Sequence, residues 1–167
     1  MKKIGLFYKT DSSKTALVAQ KIQQEFGKGI DIIPVENAWK KEFESYDNII
    51  VGSSTWFDGE LPTYWDELIP ELKTLHLKNK KVAIFGLGDQ LNYPDNFVDS
   101  IGILAEALET AGAKIIGYTS PEEYTFHRSR ALKDNQLLGL AIDIENQSDK
   151  TEKRIKAWAK QLKQEFE

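Results

Sequence analysis

The sequence predicts an α/β fold, in which a parallel β-sheet carries helices on both of its faces. Short apolar runs alternate along the chain with segments whose apolar residues recur at helical spacing, an order that is typical of βαβ units. Several runs are almost continuously apolar, as expected for strands that are covered on both faces. Because 167 residues are enough for one such layered core, we expect a single domain over residues 1–167.

Five apolar runs are predicted to be the strands, and they cover residues 4–8, 30–35, 48–53, 81–86 and 114–118. The first helix starts near Lys14, carries Val18 and Ile22 on one face, and ends at Gly27. Further helices are predicted over 63–72, 96–110 and 148–166, with a short one near 39–43. Residues 119–136 are polar and lack clean periodicity, and an apolar run over 137–142 follows them. We interpret this region as an insertion that interrupts the last strand.

The composition argues against several classes of function. The net charge of −4 disfavours non-specific binding to nucleic acid, which needs a basic surface. The chain has no cysteine, which rules out disulfides, thiolate chemistry and iron–sulfur clusters, and His76 and His127 lack the spacing of metal ligands. No stretch approaches the roughly 18–20 apolar residues of a membrane span. We therefore expect a cytoplasmic protein that does not insert into a membrane.

The loop after the first strand is rich in hydroxyl groups. Thr10, Ser12 and Thr15 can donate hydrogen bonds, and the following helix presents unpaired backbone N–H groups at the positive end of its dipole. Such a loop is suited to a phosphate group. A nucleotide-triphosphate loop is disfavoured, because Tyr8 and Ser13 occupy the two glycine positions of that motif. Taken alone, the loop also fits a helix start that is simply capped by hydroxyl residues.

The loops after the third and fourth strands each contain an aromatic residue. Trp56 follows Gly52-Ser53-Ser54-Thr55 in a polar turn, where its ring offers a flat surface for stacking. Tyr93 follows Gly86 and Gly88, which permit a close approach of the backbone. A Trp56 ring folded over the neighbouring helix, and a tyrosine covering a tight turn, are the structural alternatives. Ligands of open parallel sheets bind at the carboxyl ends of the strands, so the three loops together favour a flat aromatic cofactor with a terminal phosphate.

These motifs resemble those of the flavodoxin family, and specifically of its long-chain kind, over essentially the whole chain. The resemblance rests on Thr10-x-Ser12-x-x-Thr15, Thr55-Trp56-x-x-Gly59-Glu60-Leu61 and Gly86-Leu87-Gly88-Asp89-Gln90, and on the Tyr93 loop. It implies a flavodoxin-like three-layer sandwich, whose five-stranded parallel sheet has the order 2-1-3-4-5. It also implies that FMN, bound non-covalently, is the only cofactor.

The resemblance further implies which residues bind FMN. Residues 10–15 would hold the phosphate, Trp56 and Tyr93 would enclose the isoalloxazine ring, and Asp89 would lie near the polar edge of the ring. The chain departs from the usual family pattern at Lys9 and Ser13, where glycine is common, and at positions 57 and 58. The full set of expected cofactor-binding residues is Thr10, Asp11, Ser12, Ser13, Lys14, Thr15, Ser54, Thr55, Trp56, Phe57, Asp58, Gly59, Gly88, Asp89, Tyr93 and Asn96.

A flavodoxin-like chain is expected to be an electron-transfer protein and not an enzyme. Acidic residues near the ring, such as Asp58, Glu60 and Asp89, would repel the negative charge that reduction adds, which favours a low potential. We expect a one-electron carrier that shuttles electrons between redox proteins, and we expect it to be a monomer. Ferredoxin/flavodoxin–NADP reductase and photosystem I are examples of the partners that the resemblance implies.

Other classes of protein use the same kind of sheet. An FMN-dependent NAD(P)H:quinone reductase needs an open ring face, which two covering aromatic residues would deny to its substrate. A response-regulator receiver needs an aspartate at the end of the third strand, where this chain has Gly52-Ser53-Ser54-Thr55. A purely structural module with a vacant cleft is the remaining alternative, and it would take up no FMN.

Overall fold

The structure is a computed structural model that describes residues 2–9, 13–38, 40–56 and 59–167, apart from the side chain of residue 63. Along the chain, strands alternate with helices as far as the fifth strand. The strands are β1 (Ile4–Tyr8), β2 (Ile30–Pro34), β3 (Asn48–Ser54), β4 (Lys81–Leu87), β5 (Lys114–Ile116), β6 (Leu132–Lys133), β7 (Gln136–Leu137) and β8 (Leu140–Ile142). The helices are α1 (Ser13–Phe26), α2 (Lys40–Glu44), α3 (Thr63–Leu72), α4 (Asp99–Thr110), α5 (Ile144–Gln147) and α6 (Thr151–Glu165).

The main sheet is parallel and has the order β2-β1-β3-β4-β5, which confirms the predicted fold class and strand order. β5 pairs only with the first half of β4, where Ala83 lies opposite Ile116. β8 pairs with the second half of β4, where Phe85 lies opposite Leu140. The last strand position is thus shared by two short strands, and the predicted insertion lies between them.

Each face of the sheet is covered by helices, and each has its own buried core. Along β1, Phe7 points to the face that packs on α3 and α4, whereas Leu6 points to the face that packs on α1 and α6. Trp65 of α3 and Trp158 of α6 are among the largest fully buried side chains, one in each core. This alternation explains why the strands are apolar at nearly every position: both faces are buried.

The insertion folds back onto α6 and onto the loop after β4. The Trp158 indole N–H donates to the carbonyl oxygen of Gly117 over 2.9 Å, and the guanidinium of Arg154 lies over the Tyr124 ring at 4.1 Å. β6 and β7 form a small antiparallel hairpin, and both residues of its turn have positive φ (Asp134 52°, Asn135 62°). Asp and Asn are the residue types that tolerate this turn.

The described part of the chain has no helix that combines the length and the apolar composition that crossing a membrane requires. The described residues also include no group of three or more histidine, aspartate or glutamate side chains arranged to hold a metal ion.

Candidate functional site

An open cleft of about 310 Å³ lies at the carboxyl edge of the sheet. Its size is at the lower end of the range of small-molecule sites. The loops after β3 and β4 form two of its walls, and the starts of α1 and α5 contribute to the others. The lining residues are Lys14, Ser54, Thr55, Trp56, Leu87, Gly88, Asp89, Tyr93, Ile144 and Glu145.

The first turn of α1 supplies one edge of this cleft. Ser13 and Lys14 are exposed, whereas the Thr15 side chain is buried. The first turn contains no acidic residue, so nothing in it opposes the positive end of the helix dipole. The Lys14 ammonium forms an ion pair with the carboxylate of Glu145, which ties α1 to the segment after β8. The expected phosphate-binding residues Thr10, Asp11 and Ser12 lie outside the described residues.

The last residue of β3 carries a buried hydroxyl group that has no hydrogen-bond partner among the described residues. This group is Oγ of Ser54, whose residue lines the cleft. The neighbouring hydroxyls are satisfied within the protein: Ser53 Oγ donates to the Ser54 carbonyl over 2.9 Å, and Thr55 Oγ1 donates to Ser100 Oγ over 2.9 Å. A buried hydroxyl without a partner is costly, and a ligand that supplied one would be favoured.

The loop after β3 is closed by a two-residue bridge. The backbone N–H groups of Trp56 and Glu60 each donate to the other's carbonyl, over 2.7 and 2.8 Å. Gly59 lies inside this turn at φ +90°, and a Cβ there would approach Asp99 Oδ2 to 2.5 Å. Only glycine fits both constraints. The expected contacts Phe57 and Asp58 lie outside the described residues.

The loop after β4 is organised around Asp89. Its carboxylate accepts hydrogen bonds from the backbone of Leu91 and Asn92 and from the side-chain amides of Asn92 and Asn146, over 2.7–3.2 Å. Burial is the largest single effect on the pKa of Asp89 and raises it, but these hydrogen bonds outweigh burial and lower the pKa below its ordinary value. Asp89 is therefore a fixed negative charge at the cleft, and it also holds the loop in shape.

A buried carboxylate links this loop to the segment after β8. Asp143 is fully buried and accepts hydrogen bonds from the backbone and side-chain nitrogens of Gln90 and of Asn146. Gln90, which is also buried, accepts in turn from the backbone N–H of Thr125 in the insertion. The cleft loop, β8 and the insertion are therefore joined by one polar network.

Two aromatic rings are half exposed at the cleft. Trp56 is 40% exposed and Tyr93 is 46% exposed, although most other large apolar side chains of the described chain are buried. Neither ring belongs to one of the two buried cores. Exposed flat rings on either side of a cleft are suited to stacking against a flat ligand.

Two further residues that were expected to bind the cofactor are Gly88 and Asn96, and only Gly88 lines the cleft. Gly88 lines the cleft, and a Cβ there would meet Val98 at 3.1 Å. Val98 itself has φ +46°, a strained conformation for a β-branched residue, and it immediately precedes α4. Asn96 lies behind the cleft wall beside Gly59 and Asp99 and does not line the cleft. Strain and close packing in this loop are typical of a functional site.

Sequence reasoning missed three residues that line the cleft: Leu87, Ile144 and Glu145. The last two follow β8, and the carboxyl-edge rule applied to that strand would have pointed to them. They were missed because only the loops after the first, third and fourth strands were considered.

Comparisons with known proteins agree with this geometry. The family model described as flavodoxin matches residues 6–158 of the chain. The chain is 45% identical to a flavodoxin from Synechococcus elongatus over 168 residues, which cover 99% of each chain, and 46% identical to a flavodoxin from Nostoc over 166 residues, which cover 99% of this chain and 98% of the relative. The crystal structure of Fusobacterium nucleatum flavodoxin bound to flavin mononucleotide is 31% identical, with a TM-score of 0.93 and full coverage of both chains.

Proposed function

Because the chain belongs to the flavodoxin family, we infer that it is an electron carrier that uses FMN and serves redox partner proteins. FMN supplies the redox chemistry when bound, and the protein supplies binding, orientation and electrostatics. The expected alternative, an NAD(P)H:quinone reductase, is not favoured by this membership. The residues that hold FMN in this chain, and the partners it meets, form the further part of the proposal.

The phosphate is proposed to bind at the start of α1. The first-turn N–H groups have no intrahelical partner, and the helix dipole places partial positive charge there. The hydroxyls of Thr10 and Ser12 precede this turn in the sequence. Lys14 contributes a cation at the cleft, although Glu145 partly neutralises it. A helix whose first turn contains no acidic residue is suited to a phosphate dianion.

The ring is proposed to lie between Trp56 and Tyr93. Both side chains line the cleft and keep a large part of their surface exposed, so stacking on a bound ring would bury that surface. Asp89 places a fixed negative charge at the cleft, which disfavours added negative charge on a ring held there. Both effects favour a low reduction potential.

The observation that carries the FMN proposal is the Ser54 hydroxyl, which is buried beside the cleft and has no partner among the described residues. A ligand in the cleft that offered it a polar atom would satisfy this hydroxyl. One such hydrogen bond contributes about 0.5–1.5 kcal/mol, which corresponds to a factor of roughly 2–12 in affinity.

The proposal is tested by titrating FMN into the apoprotein of Ser54→Ala, with Ser53→Ala as the matched control. Ser54→Ala is expected to weaken FMN binding roughly 2–12-fold and to leave the unfolding free energy of the apoprotein unchanged, because it removes a group without a partner. Ser53→Ala loses the hydrogen bond to the Ser54 carbonyl, so it is expected to lower apoprotein stability more than FMN affinity. Equal FMN affinity in the parent and in Ser54→Ala would contradict the assignment.

The partner proteins, the oligomeric state and the location of this chain are also proposals. We propose ferredoxin/flavodoxin–NADP reductase or photosystem I as the type of partner, a monomeric state, a cytoplasmic location and one domain over residues 1–167. The last is supported by the main sheet, which joins strands from residue 4 to residue 142. Electron transfer from the FMN-loaded protein to a purified reductase, observed at the visible absorption of the flavin, tests the partner class.

A further inference from the structure

Two ion pairs of the same kind tie α1 to the C-terminal part of the chain. The Lys14 ammonium pairs with the Glu145 carboxylate, and the Lys21 ammonium pairs with the Glu152 carboxylate over 2.8 Å. Seven positions separate the two lysines, and seven separate the two glutamates. The lysines therefore lie two turns apart on the same side of α1, with their Cα atoms roughly 10 Å from each other. Of these four residues, only Lys14 and Glu145 line the cleft.

The pair at the cleft lies where the phosphate is proposed to bind. Lys14 is the second residue of α1, and the first turn of this helix contains no acidic residue. Its ammonium is a compact point charge, which an incoming phosphate can use as a counter-ion. In this structure the ammonium already has a counter-ion, the carboxylate of Glu145. A phosphate that approaches the helix start therefore meets a cation that is engaged by an acid of the same chain.

The backbone that carries Glu145 is held at the cleft. The side-chain amide of the next residue, Asn146, donates to Asp89 over 2.8 Å, and its backbone N–H donates to the fully buried Asp143 over 3.0 Å. The side chains of the ion pair are less confined, because Lys14 is 51% exposed and Glu145 is 46% exposed. Either side chain can therefore turn into solvent without leaving a buried charge unpaired, whereas the Glu145 backbone stays beside the cleft.

We propose that Glu145 is a specificity-determining residue, which competes with the flavin phosphate for the Lys14 ammonium and thereby narrows the preference for FMN over riboflavin. This inference rests on the proposed FMN function and adds a residue that weakens phosphate binding. Riboflavin has the same ring and no phosphate, so it leaves the ion pair intact. FMN displaces Glu145 from Lys14, and the free energy of the pair is subtracted from that of binding. Exposed ion pairs contribute little to folding, so Glu145 acts mainly on the ligand.

The test compares the binding of FMN and of riboflavin to the apoproteins of the parent, Glu145→Gln and Glu152→Gln. Glu152→Gln is the matched control, because it removes the same charge and breaks an ion pair with a lysine of α1, but away from the cleft. Dissociation constants are obtained from the quenching of flavin fluorescence, at low ionic strength and again near 1 M salt. Urea denaturation of the three apoproteins verifies that they fold.

At low ionic strength, Glu145→Gln is expected to bind FMN roughly 2–5-fold more tightly than the parent, which is the factor that one exposed ion pair represents. Its riboflavin affinity should change less than about 1.5-fold, and Glu152→Gln should change both affinities less than about 1.5-fold. The gain in FMN affinity should disappear near 1 M salt, where the Debye length is about 3 Å. Equal FMN affinities in the two glutamine variants, or an equal gain for riboflavin, would overturn the proposal.

Replacing Lys14 separates competition from simple repulsion. Lys14→Gln alone should weaken FMN binding and change riboflavin binding less than about 1.5-fold. Adding Glu145→Gln to this variant should change its FMN affinity less than about 1.5-fold, because no ammonium is left to release. A gain of the same size with and without Lys14 would overturn the competition, since Glu145 would then repel the phosphate without acting through Lys14.

Failure of the underlying function would look different. If the parent apoprotein bound neither FMN nor riboflavin, the proposed function would be wrong. If the parent bound FMN but Glu145→Gln and Glu152→Gln behaved alike, only the role of Glu145 would be wrong.

Discussion

Replacing Asp143 by Asn tests the polar network behind the cleft. The Asp143 carboxylate accepts from both nitrogens of Gln90 and both of Asn146, at distances of 2.7–3.1 Å. Asparagine keeps the shape but turns one acceptor oxygen into an N–H donor. At least one of the four donors would then face another donor inside the protein, where both Asp143 and Gln90 are buried.

The expected loss follows from these contacts. A hydrogen bond to a charged group contributes about 1.5–3 kcal/mol, and a buried donor without an acceptor costs about 1–3 kcal/mol. Because the contributions overlap, we expect Asp143→Asn to lower the unfolding free energy of the apoprotein by about 2–4 kcal/mol. FMN affinity should fall as well, because the network positions the Asp89 loop and the segment that carries Glu145.

Urea denaturation of the apoprotein, followed by circular dichroism, measures the effect. Asp134→Asn is the control, since it removes an acidic residue from the exposed hairpin turn and should change stability by no more than about 0.5 kcal/mol. A double-mutant cycle with Gln90→Met should give a coupling energy above about 1 kcal/mol. A loss below about 0.5 kcal/mol for Asp143→Asn would refute the reasoning that the network is stabilising.

Two further predictions concern the sheet and its ends. Gly52→Ala should destabilise the protein by about 1–3 kcal/mol in urea denaturation, because its Cβ would enter the Phe85 ring. Gly29→Ala is the control and should be nearly neutral, because a Cβ at Gly29 meets nothing within 4 Å. Equal effects of the two substitutions would contradict this packing. Burial and the hydrogen bond to Asp31 raise the pKa of Tyr46 to about 12, above its ordinary value of 10.0, so its stabilising contribution is present below about pH 10 and is lost between about pH 10 and 12. The stability gap between the parent and Tyr46→Phe should therefore narrow over that range in urea denaturation, and a constant gap would argue against the shift.

The strands of this fold could be predicted closely, because their near-continuous apolar runs reflect burial on both faces. The ends of elements that depend on tertiary contacts could not be predicted from the sequence. The helix predicted over 96–110 begins only at Asp99, because Phe97 is hydrogen-bonded to Arg128 and Ser129 of the insertion. Likewise, only Leu140–Ile142 of the run 137–142 joins the main sheet, while Leu137 pairs within the hairpin.

The cleft could be predicted only in part. Trp56, Tyr93 and Asp89 could be placed at it from the carboxyl-edge rule, since each lies in the loop that follows a recognised strand. Ile144 and Glu145 follow β8, which also ends at the cleft, and were missed because the rule was applied only to the loops after the first, third and fourth strands. The buried Ser54 hydroxyl is visible only in three dimensions, since nothing in the sequence distinguishes it from Ser53.

The division of the last strand into β5 and β8 creates a junction at which insertions of different length can be accommodated. The chain leaves the sheet beside Ala83 and returns beside Phe85, so the 23 residues from Gly117 to Gly139 span a gap of only two positions along β4. Gly139 marks the re-entry, where any Cβ would meet the carbonyl oxygen of Ile84. Because the cost of closing a loop grows only logarithmically with its length, segments of very different size could be accommodated at this junction without disturbing the strand register. Variation in chain length, and with it in the surface shown to other proteins, can therefore be confined to one junction at the edge of an otherwise constant sheet.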